Sequence, residues 1–218
     1  MPQVNLLKRY PKTIRKNIIQ DRLNISESDK KLAREFDYEY FDGPRSLGLG
    51  GYQYINGFWS EVVDDFINYY NLNEKSSLLD IGCGKGFMLF DFCKKIPNLR
   101  IRGLEFSQYC FNNSLPIIRP HIDTGCCSLL PYETNSFDLA ISIATIHNLD
   151  KSGVKRALRE IMRVSKKSFI KINGYNSDLQ REELDNWNLV AKTILHVEEW
   201  KALFNEVGYD REWEFFVP

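Results

Sequence analysis

The sequence predicts an α/β fold: a mostly parallel sheet with helices on both faces, preceded by a helical cap. Three observations predict it. Short apolar runs alternate with helical patterns from about residue 76 to 174, the spacing that builds parallel βαβ units. The first apolar run, Ser77–Ile81, ends directly in Gly82-Cys83-Gly84-Lys85-Gly86. The first 57 residues or so lack strand patterns altogether. The 218 residues suffice for one sizeable domain and an appendage. They divide into a cap with a lid loop, 1–75, and a ligand-binding domain, 76–218.

The cap begins with a helical pattern over 11–22. A second helix starts at Ser26, whose hydroxyl caps it with Asp29 in the first turn, and runs to about Phe36. A loop rich in glycine and tyrosine follows, Tyr38 to Tyr54. The next helix, about 58–70, carries Val62, Val63, Phe66, Ile67 and Tyr70 on its apolar face.

In the second region, Ser77–Ile81, Leu99–Glu105, Ile122–Cys126, Phe137–Ile143 and Ser168–Ile172 read as strands. Residues 86–95, 107–114 and 151–165 read as helices. The last is amphipathic, with Val154, Leu158, Ile161 and Val164 on one face and Lys155, Arg156, Arg159, Glu160 and Arg163 on the other. The third region reads as a long connection from 175, a helix through Val197, Trp200, Leu203, Phe204 and Val207 that Gly208 stops, and one strand, Tyr209–Val217.

Composition narrows the function. Lys and Arg number 29, as do Asp and Glu, and this balance disfavours nucleic acid as the partner. The basic run Lys8, Arg9, Lys12, Arg15, Lys16 reads as a solvated helix face. The N-terminus is polar and no stretch approaches a membrane span, so neither a secretory leader nor a membrane partner is expected. The five cysteines include no C-x-x-C pair, and no histidine stands at ligand spacing to them. The expectation is a reduced, cytoplasmic protein with no metal site. No oligomeric state is read from the chain.

The glycine spacing carries the chemistry. Glycines at 82, 84 and 86 permit positive φ and close approach of a ligand at the carboxyl end of a strand. A dinucleotide fingerprint needs glycine where Phe87 stands, and a phosphate loop needs Ser or Thr after Lys85, where Gly86 stands. These departures disfavour a nicotinamide-dependent oxidoreductase. Glu105 ends the next strand, 19 residues after Gly86, where a carboxylate can accept from both hydroxyls of a ribose.

Three segments in order, Leu79 to Gly86, Gly103-Leu104-Glu105-Phe106-Ser107, and Leu130-Pro131-Tyr132 followed by Phe137-Asp138-Leu139, resemble the class I S-adenosylmethionine-dependent methyltransferases. Within them they are most similar to the group that includes the ubiquinone- and menaquinone-biosynthesis enzymes. The resemblance implies a Rossmann-like sheet with an antiparallel C-terminal edge and S-adenosylmethionine as cofactor. It implies that Asp80, Gly82, Cys83, Gly84 and Gly86 line the methionine and ribose part, that Glu105 binds the ribose and that Phe106 lies against the adenine. Many relatives place an acid after the third strand to meet the adenine amino group; here Cys126 stands in that stretch. Tyr40-Phe41-Asp42-Gly43, then Gly50-Gly51-Tyr52-Gln53-Tyr54 and Trp59, resemble the leader of bacterial methyltransferases associated with surface-polysaccharide and secondary-metabolite genes. Only one strand fits after the last helix, so either part of 187–195 supplies another or the sheet is a strand short.

Four residues are candidates for the acceptor side. His147 follows the fourth strand and can take an acceptor's proton as general base. Asn148 beside it, and Tyr52 and Tyr54 from the lid loop, are candidate acceptor contacts. The reaction expected is methyl transfer to an oxygen or nitrogen of a small molecule, such as a sugar or nucleotide-linked metabolite. A protein methyltransferase and a non-catalytic, cofactor-binding partner protein are the alternatives.

Overall fold

In the computed structural model, which describes residues 3–11 and 25–218, the five apolar runs of the second region become the five central strands. They are β1 (Ser77–Ile81), β2 (Arg100–Glu105), β3 (Ile122–Thr124), β4 (Phe137–Ile143) and β5 (Ser165–Tyr175). Two more follow, β6 (Leu195–His196) and β7 (Glu212–Phe216). The sheet order is β3-β2-β1-β4-β5, and both β6 and β7 pair with the outer edge of β5. Every pairing is parallel.

The helices are α1 (Glu27–Ala33), α2 (Tyr38–Phe41), α3 (Ser60–Tyr70), α4 (Phe87–Lys95), α5 (Gln108–Asn112), α6 (Lys151–Val164), α7 (Asp178–Trp187) and α8 (Val197–Val207). Alternation along the strands sorts their side chains to two cores. Leu78, Leu139, Ile141 and Phe169 meet α3 and α4 on one face, through Val62, Val63, Phe66, Leu89 and Phe92. Leu79, Ala140, Ile170 and Ile172 meet α6 and α8 on the other, through Leu158, Ile161, Trp200 and Phe204. Truncating a fully buried Phe66 to alanine would cost about 3–5 kcal/mol.

The predicted fold class holds: a mostly parallel sheet with helices on both faces. The antiparallel edge does not. β7 runs parallel to β5, Phe169 opposite Glu212 and Asn173 opposite Phe216, because α8 returns the chain across the sheet before the strand begins. The extra strand comes from the end of the 187–195 stretch, as the two-residue β6. The connection read as irregular holds α7, which buries only Leu184 and so carries almost no apolar stripe. The loop after Phe36 contains the single turn α2, capped by Asp37. Ser26 caps α1 as expected, with the reciprocal Asp29 side-chain contact present.

Residues 12–24, most of the helix expected over 11–22 and of the basic run, lie outside the described residues. Arg9 pairs with Asp65 on α3 at 2.7 Å. Gln3 bridges to Trp213, so the start of the described chain lies along β7. No helix among the described residues is long and apolar enough to cross a membrane.

Candidate functional site

The glycine loop sits between the carboxyl end of β1 and α4. All three predicted glycines have left-handed φ: 79° at Gly82, 57° at Gly84 and 78° at Gly86. Each is also crowded. A Cβ on Gly82 would strike the Thr145 side chain, one on Gly84 would lie 2.8 Å from the Tyr52 hydroxyl, and one on Gly86 would lie 2.6 Å from Ile118 Cγ2. Glycine is required here both by backbone conformation and by space. Contact with Thr145 also brings the segment after β4 against the loop.

Glu105, buried, closes the floor. Its Oε2 accepts from the Gly84 N–H at 2.7 Å and its Oε1 from the Ser107 N–H at 2.8 Å. Burial raises this carboxyl, and the backbone N–H donors of Ser107, Gly84 and Phe106 pull against that rise. Two carboxylate oxygens offer about four lone-pair directions in all, so sites remain for ribose hydroxyls beside the backbone donors. Asp80 is buried on β1, and its carboxyl is raised to about 7 by burial and then by the Glu105 charge. Cys83 points its side chain into the core against Gly103, so the loop offers a ligand its backbone there.

Phe106, just after β2, is 65% exposed, and its ring meets Phe36 at 6.4 Å in a T-shaped contact. Cys126 is half-buried just after β3, its Sγ 3.1 Å from the Ser128 hydroxyl. The Gly125 N–H donates to the Glu105 carbonyl at 2.9 Å, so Cys126 starts one residue from Glu105's own backbone.

Sequence reasoning missed Lys85. It is buried, and its ammonium reaches out of the glycine loop to Asp42 Oδ2 at 2.5 Å and to the Tyr52 carbonyl at 2.8 Å. Asp42 also accepts from the Tyr109 hydroxyl at 2.6 Å and the Tyr52 N–H at 2.7 Å. Burial pushes the Asp42 carboxyl up, but Lys85, Tyr109 and the Tyr52 N–H outweigh it and hold it below the ordinary range. The lid loop is thereby seated on the glycine loop. A second tie joins the Ser107 hydroxyl to the Phe36 carbonyl at 2.5 Å. No spacing rule links Asp42 to Lys85, which lie 43 residues apart.

Tyr52 and Tyr54 part company. Tyr52 lies over the glycine loop, its ring 4.7 Å from Phe87 and its hydroxyl beside Gly84. Burial raises its phenol well above the ordinary value, with Cys110, Asp80, Cys83 and Glu105 adding to the rise. Tyr54 turns toward α4, where its hydroxyl donates to buried Asp91 at 2.6 Å and its ring meets Phe90. Its hydroxyl is thus spent on an internal carboxylate, which corrects the expectation that it contacts the acceptor.

His147 is buried in the short turn after β4. Its Nδ1 accepts from the Asn173 N–H at 3.1 Å, and its carbonyl accepts from the N–H groups of Lys192 and Thr193, both at 3.0 Å. Burial lowers the imidazole to about 4. With Nδ1 occupied, the neutral ring carries its proton on Nε2 and is a donor there. A general base needs a free lone pair, so this geometry replaces the expected base with a positioned donor. Asn148 adjoins it; its side-chain N–H reaches the Ala144 carbonyl at 3.4 Å, and its Oδ1 is buried without a partner. Ala144 itself holds a left-handed φ of 54°, a strain that non-glycine residues store chiefly at functional turns.

A parallel sheet with a glycine-rich first turn and an acid ending the second strand defines the Rossmann-like nucleoside-binding class. The comparisons narrow it. Residues 78–168 match a family model described as a methyltransferase domain. The fold is similar to that of the YcgJ protein from Bacillus subtilis, at 18% identity over 66% of each chain with a TM-score of 0.56. It is similar to a protein assigned as an S-adenosyl-L-methionine-dependent methyltransferase from Methanococcus maripaludis, at 22% identity over 85% of this chain and 87% of that one, TM-score 0.54. It is also similar to a protein assigned as a sarcosine dimethylglycine methyltransferase from Galdieria sulphuraria, at 17% identity over 69% of this chain and 59% of that one, TM-score 0.53. The chain thus spans just under two thirds of the first of these structures, and at such identities the likeness is one of fold. No curated protein matches the sequence. The likeness to a methyltransferase domain thus covers residues 78–168, and one of the proteins that shares the fold is assigned as S-adenosyl-L-methionine-dependent.

Proposed function

We propose that the protein transfers a methyl group from S-adenosylmethionine to an oxygen or nitrogen of a small molecule, a sugar or nucleotide-linked metabolite among the candidates. The observation that carries this reading is the Glu105 carboxylate, buried, fixed by two backbone N–H groups and facing three left-handed glycines. It supplies paired acceptors for a ribose beside a loop that admits a ligand to the backbone. A small acceptor is favoured over a polymer because the lid loop is seated against the glycine loop. Asp42 seats the lid loop on Lys85, and Ala33, Phe36 and Tyr40 pack on Leu189 and Val190.

The cofactor, when bound, brings a methyl already activated on a sulfonium. What is asked of the chain is alignment and exclusion of water. Glu105 and the glycine loop hold the nucleoside. Asp80 favours a cationic ligand once it is ionised. Phe106 and Cys126 border the base. Tyr52 roofs the loop against solvent. Asn148 Oδ1 is an unspent acceptor beside the turn, suited to a hydroxyl or amine of the incoming molecule. His147 holds that turn through Asn173 and Thr193, and its Nε2–H can donate.

The test is calorimetric titration with S-adenosylhomocysteine, followed by a screen of sugars, nucleotide sugars and amines for a mass gain of one methylene. Saturable binding and one methylated product are expected. Folded protein that binds no S-adenosylhomocysteine would overturn the reading. Binding without transfer to any acceptor, proteins included, would leave a cofactor-binding partner protein.

A further inference from the structure

Cys126 and Cys127 are adjacent in sequence, both half-buried, and they sit on the short loop that follows β3. The other thiols differ. Cys83 and Cys110 are buried in the core, and Cys93 lies on α4. At the loop, Cys127 is the immediate neighbour of Cys126, and the Ser128 hydroxyl lies 3.1 Å from the Cys126 sulfur. The neighbouring Cys127 thiol, then the Ser128 hydroxyl and N–H and the charge of Arg156, hold Cys126 below the ordinary thiol range against burial. Cys127 is pushed the opposite way, first by the Cys126 sulfur beside it and then by burial. The pair therefore sets one half-buried sulfur, in contact with the Ser128 hydroxyl, directly beside a second thiol, an arrangement that suits a nucleophile and a resolving thiol.

The loop is also mechanically tied to the nucleoside site. Gly125 donates to the Glu105 carbonyl at 2.9 Å, and the Cys127 side chain packs on the core beside Leu130 and Tyr132. A covalent link between neighbouring residues closes a small ring and fixes both side chains. Cys126 Sγ cannot enter that ring and keep its place on the Ser128 hydroxyl.

We propose that Cys126 and Cys127 form a peroxide-sensitive dithiol whose oxidation to a vicinal disulfide reshapes the rim of the nucleoside site and weakens cofactor binding. The gating half of this rests on the methyl-transfer reading above; the thiol half does not. Hydrogen peroxide is the oxidant. The Cys126 thiolate attacks one peroxide oxygen and the O–O bond breaks. The sulfur becomes a sulfenic acid, and hydroxide leaves to take a proton as water. The Cys127 thiol then attacks that sulfur, the S–O bond breaks, and a second water leaves. Two thiols are oxidised by two electrons, and one peroxide is reduced to two waters.

The experiment treats full-length protein with stoichiometric peroxide, reads intact and peptide mass, and titrates S-adenosylhomocysteine before and after. Expected are a loss of two hydrogens mapped to the peptide containing Cys126 and Cys127, and an affinity drop of about tenfold or more. Dithiothreitol should reverse both, and bound S-adenosylhomocysteine should slow the oxidation. In Cys127→Ser, dimedone should trap a sulfenic acid at Cys126 with no internal crosslink. Should that variant fold poorly, the wild-type peptide map decides alone. Oxidation confined to Cys93, or a disulfide elsewhere, overturns the dithiol. A mapped Cys126–Cys127 disulfide with unchanged affinity overturns the gate. If reduced protein binds no S-adenosylhomocysteine, the cofactor reading falls and the gate with it, while the mass map still decides the thiol pair.

Discussion

Replacing Lys85 with methionine isolates the contact that seats the lid loop. Methionine keeps most of the buried stem and removes the ammonium, which holds Asp42 at 2.5 Å and the Tyr52 carbonyl at 2.8 Å. Breaking one side of a buried ion pair costs about 3–5 kcal/mol, because the other charge is left uncompensated. Asp42 keeps the Tyr109 hydroxyl and the Tyr52 N–H, so the lower end, about 3 kcal/mol, applies. The loop lies on the surface of the sheet domain, so it can release Asp42 to water without melting the strands. The cost should then appear as local opening. At about 1.4 kcal/mol per decade, amide exchange at Gly51 and Tyr52 should accelerate roughly a hundredfold. Exchange in Leu78–Ile81 should not change. Hydrogen exchange read by mass spectrometry makes the comparison. Acceleration below about threefold at 51–52 would refute the reasoning, as would equal acceleration in β1.

Four further outcomes are expected. Glu105→Gln keeps one carbonyl oxygen but turns the other acceptor into a donor, so S-adenosylhomocysteine should bind about 30-fold more weakly or worse, a loss of ~2 kcal/mol or more for a charge-assisted bond, by calorimetry; an affinity within threefold of wild type would exclude Glu105 as the ribose ligand. Asp80, raised to about 7, must ionise to favour a cationic cofactor, so S-adenosylmethionine affinity should fall toward tenfold per pH unit below that value, and Asp80→Asn should flatten the profile. His147 is depressed from 6.5 to about 4, so between those values the unfolded chain binds the proton better and stability falls as pH drops. Relative to His147→Gln, wild type should lose about 2 kcal/mol between pH 7.5 and 5 by urea unfolding; taking the difference cancels the opposite slope from Asp80. Tyr54→Phe should cost about 1–2 kcal/mol by leaving buried Asp91 with the Trp59 N–H at 3.3 Å and the Lys94 ammonium at 3.9 Å, and should leave S-adenosylhomocysteine affinity unchanged.

What the sequence made legible was local. Gly82, Gly84 and Gly86 announce their conformation by residue type, and Glu105 follows from its place at a strand end. Distant pairings were not legible. Asp42 and Lys85 are 43 residues apart, and neither stands in a spacing that names the other. The tautomer of His147 depends on the Asn173 N–H, 26 residues on, which no local pattern reveals. Tyr52 and Tyr54 look equivalent in sequence. Their separation comes from Asp91 on α4, which claims one hydroxyl. The parallel direction of β7 could be argued from having one strand after α8, but the resemblance supplied an antiparallel edge instead. α7 went unread because a helix that buries a single leucine leaves no periodic signal.

The bridge from Gln3 to Trp213, with the Val4 N–H on the Trp213 carbonyl at 3.1 Å, joins positions 210 apart. A contact of that sequence separation forms late, since nearly the whole chain must be ordered before its entropy cost is recovered. Until residues 3–7 arrive, the outer edge of β7 shows unpaired backbone donors and acceptors flanked by Trp213 and Phe215. Such an edge is a template for another copy's strand. Gln3 and Val4 cover that edge in the folded protein, and a chain trimmed of them would be expected to aggregate during refolding while keeping its ligand site intact.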